Sequence, residues 1–129
     1  MPEFDHERMD VYRGALEFVR SATAIRGRLP PGRSPLADQL DRAAVSIALN
    51  IAEAAGEFAR KEKARFYRIA RRSATECAAI LDIVRELEMA EEMELGRAKE
   101  QLRSIVSMLI GLSKWAEDNA PPTSNERRA

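Results

Sequence analysis

Chemistry-bearing residues are scarce in this 129-residue chain, and each scarcity removes a class of protein. Cys77 is the sole cysteine, so no intrachain disulfide can form, and such usage fits a reducing cytoplasm. His6 is the sole histidine. A di-iron bundle needs Glu-x-x-His pairs on facing helices, and one cysteine with one histidine cannot close a tetrahedral zinc shell. Gly56 and Gly96 stand alone, in neither a phosphate-binding loop nor a nucleophile elbow. No run approaches the roughly 18 apolar residues of a membrane span, and the start MPEFDHERMD lacks an apolar signal core. A soluble, cytoplasmic protein without membrane attachment is expected. Acidic residues are plentiful but fall at helical spacing on outward faces, so no catalytic residue, metal or cofactor is assigned and no enzyme is expected. A cofactorless enzyme would need a pocket with perturbed carboxylates around Glu53 or Glu76.

Net charge is missing too. Lys plus Arg and Asp plus Glu number 21 each and the isoelectric point is near 6.6, so the molecule as a whole does not attract nucleic acid. The charge is instead distributed unevenly. Arg60, Lys61, Lys63, Arg65, Arg68, Arg71 and Arg72 crowd one window with only Glu62 against them, whereas Glu86, Glu88, Glu91, Glu92 and Glu94 form an acidic patch relieved mainly by Arg85.

What is abundant is helical periodicity, with no β-pattern competing. A first helix from about His6 to Arg28 carries Val11, Ala15, Phe18, Ala22 and Ile25 on one stripe, and Leu29-Pro30-Pro31-Gly32 stops it. Ser34-Pro35 restarts helix, with the serine expected to cap and the proline at the first helical position. The second helix buries Leu40, Ala43, Ala44, Ile47, Ile51, Ala54 and Ala55, and Gly56 is a candidate left-handed residue past its end. The third runs to about Met89 on a four-three seam of Phe66, Ala70, Ser73, Cys77, Ile80, Val84 and Leu87, which gives Cys77 a buried apolar role. No proline or asparagine marks the turn that follows. The fourth carries Leu95, Ala98, Leu102, Ile105, Leu109, Leu112 and Ala116, with Val106, Met108 and Trp115 beside them. Helices of roughly 20 to 27 residues are about 30 to 40 Å long at 1.5 Å per residue. The economical solution is an all-α, antiparallel up-down four-helix bundle over residues 1–118, followed by a disordered tail at 119–129.

The stretch QLDRAAVSIALNIAEAAG, residues 39–56, is similar to QLRRAAxSIPxNIAEGxGR, and RFYRIARRSATE, residues 65–76, is similar to RFLxIAxGSxxE. Both patterns belong to a bacterial family of small four-helix bundles. Some of its members are encoded inside intervening sequences of large-subunit ribosomal RNA genes, and its relatives include the accessory variability determinant of diversity-generating retroelements. Weaker similarity extends over Asp10 to Tyr12 and Leu95 to Lys114. The resemblance implies a homopentamer and a role beside nucleic acid or a nucleic-acid-handling protein such as a reverse transcriptase. The chain departs from the pattern at Ala48 for proline, Ala54 for glycine, Glu57 for arginine, Ala59 for serine and Lys63 for phenylalanine. Losing the serine removes the expected cap of helix three, and Glu57 subtracts charge from a surface that the family tends to keep basic.

Two groups of residues therefore stand out as candidate sites. Arg42, Ser46, Asn50 and Glu53, extended by Glu57, form a polar strip between apolar flanks, and an unpaired buried amide costs about 1 to 3 kcal/mol. Asn50 and Glu53 are expected to form hydrogen bonds that set helix register or a subunit contact, and ligand contact is the other reading. Arg60, Lys61, Lys63, Arg65, Arg68, Arg71 and Arg72 are the candidate nucleic-acid-binding residues, and among them Lys61, Arg65, Arg68 and Arg72 recur along one face of helix three. Such a row can track phosphates of RNA or DNA, although only Tyr67 stands close enough to serve for stacking. The alternative is a solvated face paired with glutamates, in a chain that is 33% charged. Val45, Leu49 and Ala52 lie off the main seam of helix two, and serve either a neighbouring subunit or a wider core contact. The function expected is a non-enzymatic, homo-oligomeric nucleic-acid or nucleoprotein platform. Its alternative is a purely protein-binding scaffold or accessory subunit.

Overall fold

A computed structural model describes residues 3–121. Four helices, α1 (Asp10–Arg26), α2 (Ser34–Gly56), α3 (Arg60–Glu86) and α4 (Glu92–Asp118), follow a short 3-10 turn at Asp5–Arg8. Each helix packs on its two neighbours in the cycle α1, α2, α3, α4, and the diagonal pairs do not meet. That is the antiparallel up-down bundle its short connections require. The α1 stripe of Val11, Ala15, Phe18, Ala22 and Ile25 is buried in full. Twelve of the 27 buried apolar residues are alanine, which lets helix backbones approach closely around larger side chains such as Phe18, Leu40, Ile47, Leu81 and Leu109.

Several local expectations need correction. On α3 the seam lies one residue over in its first half: Tyr67 and Ala74 are buried, whereas Phe66 and Ser73 are half-buried and Leu87 is exposed. At 3.6 residues per turn, neighbouring four-three registers offer nearly equal apolar content there, and Tyr67 can bury its ring because it has apolar space to fill. On α4, Ser113 is buried and Leu112 half-buried for the same reason. Ser34 does not cap α2. It is already helical, at φ −52° and ψ −42°, and its hydroxyl donates to the Pro31 carbonyl at 3.1 Å. Gly56 closes α2 without a positive φ. The α1 helix begins at Asp10 because the Asp5–Arg8 turn is 3-10. At the other end of the chain, Asn119 and Ala120 still bond to carbonyls of the last turn of α4, while residues 122–129 of the expected tail lie outside the described residues.

The unmarked turn after α3 is a Schellman motif built on a glutamate. Glu88 N–H donates to Arg85 O and Met89 N–H to Val84 O, both at 3.0 Å, with Glu88 at φ 53°. A left-handed residue with a Cβ costs about 1 to 2 kcal/mol. Glu88→Gly is therefore expected to stabilise the fold by about 1 kcal/mol, read as a higher urea midpoint, and Glu88→Val to lower it.

Cys77 has no solvent exposure, and burial, aided by the Glu76 charge, pushes its thiol from 9.0 up to about 12. A thiol reagent at neutral pH should modify it only at the rate of unfolding. Between pH 9 and 12 the folded chain holds a proton that the unfolded chain has released, so stability should fall as pH rises through that window. Cys77→Ala should make the alkaline decline shallower.

Candidate nucleic-acid interface

The N-terminal half of α3 gathers the basic residues, and the structure separates those with partners from those without. Helical geometry puts Lys61, Arg65, Arg68 and Arg72 within about 60° of one another around the axis, a row about 16 Å long. Arg65 donates to both carboxylate oxygens of Glu62 at 3.0 to 3.1 Å and lies 4.6 Å over the Phe66 ring. The hydrogen bond from Arg65 holds the Glu62 carboxyl below its ordinary pKa. Arg68 pairs with Glu117 of α4. Lys61 and Arg72 are exposed and Arg71 half-buried, and none of the three has a carboxylate partner among the described residues. Exposed pairs such as Arg65 with Glu62 are worth little in water, so an incoming phosphate can compete for them.

Lys63 has a different place. Its ammonium donates to Ala54 O at 2.6 Å and Ala55 O at 3.3 Å, so it satisfies the last carbonyls of α2 at the negative end of that helix. Burial lowers its pKa below the ordinary lysine value. Arg60, the first residue of α3, places its guanidinium 4.2 Å over the ring of Trp115, and its Nη1 is buried with no acceptor among the described residues. The α3 helix starts without a side-chain cap at Ala59, as expected from the missing serine, and Glu57 accepts the Ala59 N–H at 3.3 Å instead.

The polar strip of α2 divides. Ser46 and Ser73 hydroxyls are 2.8 Å apart across the α2–α3 contact, and Asn50 Nδ2 donates back to the Ser46 carbonyl at 2.9 Å and its hydroxyl at 3.0 Å. Helix register is thus pinned by Ser46 and Ser73, with Asn50 holding Ser46 in place. Arg42 and Glu53 are exposed, and no hydrogen bond is found for either side chain among the described residues. Outside this strip, Val45 and Leu49 remain 44% and 61% exposed, so they do not widen the core, and with Asp41, Arg42, Ser46 and Asn50 they line an open groove of about 360 Å³.

Two further aromatic residues stand near Arg60. Trp115, which the sequence pattern places beside the α4 seam, meets Arg60, 55 positions away. Phe58, in the three-residue link between α2 and α3, is 99% exposed. Tyr67, the aromatic residue that the sequence offers for stacking, is instead buried. In the sequence Phe58 falls in step with Ile51, Ala54 and Ala55, so periodicity alone places it on the buried stripe; it is exposed because α2 ends at Gly56. Among the described residues no group of three or more His, Cys, Asp or Glu side chains could hold a metal, and no helix is long and apolar enough to cross a membrane.

Fold and surface together define an all-α, up-down four-helix bundle with one strongly basic helix. The chain belongs to the 23S rRNA-intervening sequence protein family, whose profile matches residues 7–111. Among solved structures, it is similar to a protein of unknown function from the S23 ribosomal protein family of Bacteroides thetaiotaomicron. The match has a TM-score of 0.76 and 23% identity, covering 81% of this chain and 98% of that one. At that identity the likeness speaks to fold. No curated protein sequence matches this one closely enough to count as a relative.

Proposed function

We propose that this protein is a non-enzymatic cytoplasmic platform: bundles that assemble with copies of themselves, in a ring of five, and present the basic row of α3 to nucleic acid. The observation that carries the reading is the charge of Lys61, Arg71 and Arg72, which meets no carboxylate among the described residues, on a helix whose Arg60 also lacks an ion pair and whose Arg65, Arg68 and Arg85 make only exposed pairs. The family's description, which refers to the intervening sequence of 23S rRNA, is in keeping with a nucleic-acid partner. Self-assembly is supported by apolar surface that one bundle does not use. Val45 and Leu49 of α2, with Ile83 and Leu87 of α3, are each between 44% and 61% exposed. Repetition around a ring turns a modest patch into a concentrated field, which is how a chain of zero net charge holds a polyanion.

The alternative is a protein-binding scaffold or accessory subunit, for example of a reverse transcriptase, which Glu57 and the neutral net charge favour. Titration of RNA and DNA oligonucleotides at low and fourfold higher salt separates the two. Neutralising three phosphates per subunit predicts about 20- to 40-fold weaker binding at the higher salt. Failure to bind at either salt, or affinity indifferent to salt, would replace the platform with the scaffold.

A further inference from the structure

We infer that the bundle end formed by the α2–α3 link and the last turns of α4 takes single-stranded nucleic acid, its bases stacking on Phe58 and Trp115 and its phosphates lying against Arg60 and Lys61. The inference rests on the nucleic-acid reading above and names the form of the partner.

Several observations converge on it. Phe58 is 99% exposed, which leaves a whole aromatic ring in water where burial would be worth about 1.5 to 3 kcal/mol. It precedes Arg60 by two residues, so the two backbones lie within about 7 Å. Arg60 in turn covers Trp115, which is still 49% exposed. Arg60 is held by the ring and by no carboxylate, so its charge is uncompensated, as is that of its neighbour Lys61. Lys114 adds a third cation beside the indole in sequence. Three acids near these residues in sequence are already engaged: Glu57 accepts the Ala59 N–H, Glu62 pairs with Arg65 and Glu117 pairs with Arg68.

Aromatic faces interleaved with cations are the means by which proteins hold single strands without reading sequence, because every base has a face to stack. A duplex offers phosphates to the cations but keeps its base faces inside the helical stack. Phe58 would gain nothing from it. Two modes of contact are thus distinct: phosphate contact along the α3 row, open to either form, and stacking at the bundle end, open to single strands alone.

Trp115 is the only tryptophan, so its fluorescence reports on this place directly. The full chain is titrated with a fluorescently silent single-stranded oligonucleotide and with the duplex of the same sequence. Single strands should quench Trp115 and bind more tightly, and Phe58→Ala should weaken single-strand binding about tenfold while leaving duplex affinity and solution mass unchanged. Equal affinity for both forms, without quenching and without effect of Phe58→Ala, overturns the stacking inference and leaves the platform standing. A fall in mass on Phe58→Ala makes Phe58 a subunit contact and also overturns it. Failure of both forms to bind removes the platform itself.

Discussion

Reversing Arg71 and Arg72 together to glutamate is expected to weaken nucleic-acid binding about a hundredfold at low salt and to flatten its salt dependence. Both side chains lack a carboxylate partner among the described residues, so the substitution breaks no ion pair seen in the fold. Arg72 is exposed and Arg71 half-buried. The hydroxyl of Thr75 reaches the Arg71 main-chain carbonyl, a contact that the side-chain change leaves intact. Unfolding midpoint and solution mass should therefore hold. The matched control is Arg20→Glu with Arg33→Glu, which changes net charge equally but on α1 and the α1–α2 loop, where both arginines are exposed. A general field effect would make the two double variants equal. A local phosphate track makes only the α3 variant defective.

Phe18→Ala should have the largest effect on stability, a loss of about 3 to 5 kcal/mol. Phe18 is fully buried on α1, the shortest of the four helices at 17 residues, and α1 reaches the core only through α2 and α4. Removing the ring leaves a cavity among helices already close-packed through alanines, with little freedom to collapse. Against a total stability of about 5 to 15 kcal/mol, that loss is large. For a domain of this size it lowers the thermal midpoint by about 10 °C or more. Leu49→Ala serves as the comparison. At 61% exposure it should change monomer stability by less than about 0.5 kcal/mol, and any larger effect that grows with protein concentration would report a subunit contact.

Much of the fold was legible because amphipathic stripes repeat over many turns. Val11 to Ile25 on α1 and Leu40 to Ala54 on α2 each state a single register, and both are buried as their spacing requires. The stripe of α3 was ambiguous because Phe66 next to Tyr67, and Ser73 next to Ala74, support two phases one residue apart, and tertiary packing chose between them. Helix ends were least legible. None of the four helices has a side-chain N-cap bond, and the turn after α3 uses Glu88 where glycine is the usual signal. The function of Lys63 at the end of α2, and the meeting of Arg60 with Trp115, depend on which helix ends share one end of the bundle. No local pattern carries that information. Ser46 and Ser73 were separately visible as polar interruptions, but their pairing at 2.8 Å depended on the α2–α3 register.

The central claim is that copies of this bundle assemble and that the assembly holds nucleic acid. Light-scattering chromatography of the full chain mixed with a single-stranded oligonucleotide, read at two absorbance wavelengths, tests both parts in one run. The account predicts one peak whose protein mass is five times the 14.5 kDa of the chain, with oligonucleotide co-eluting and released when salt is raised. A protein peak at 14.5 kDa that carries no oligonucleotide would contradict it.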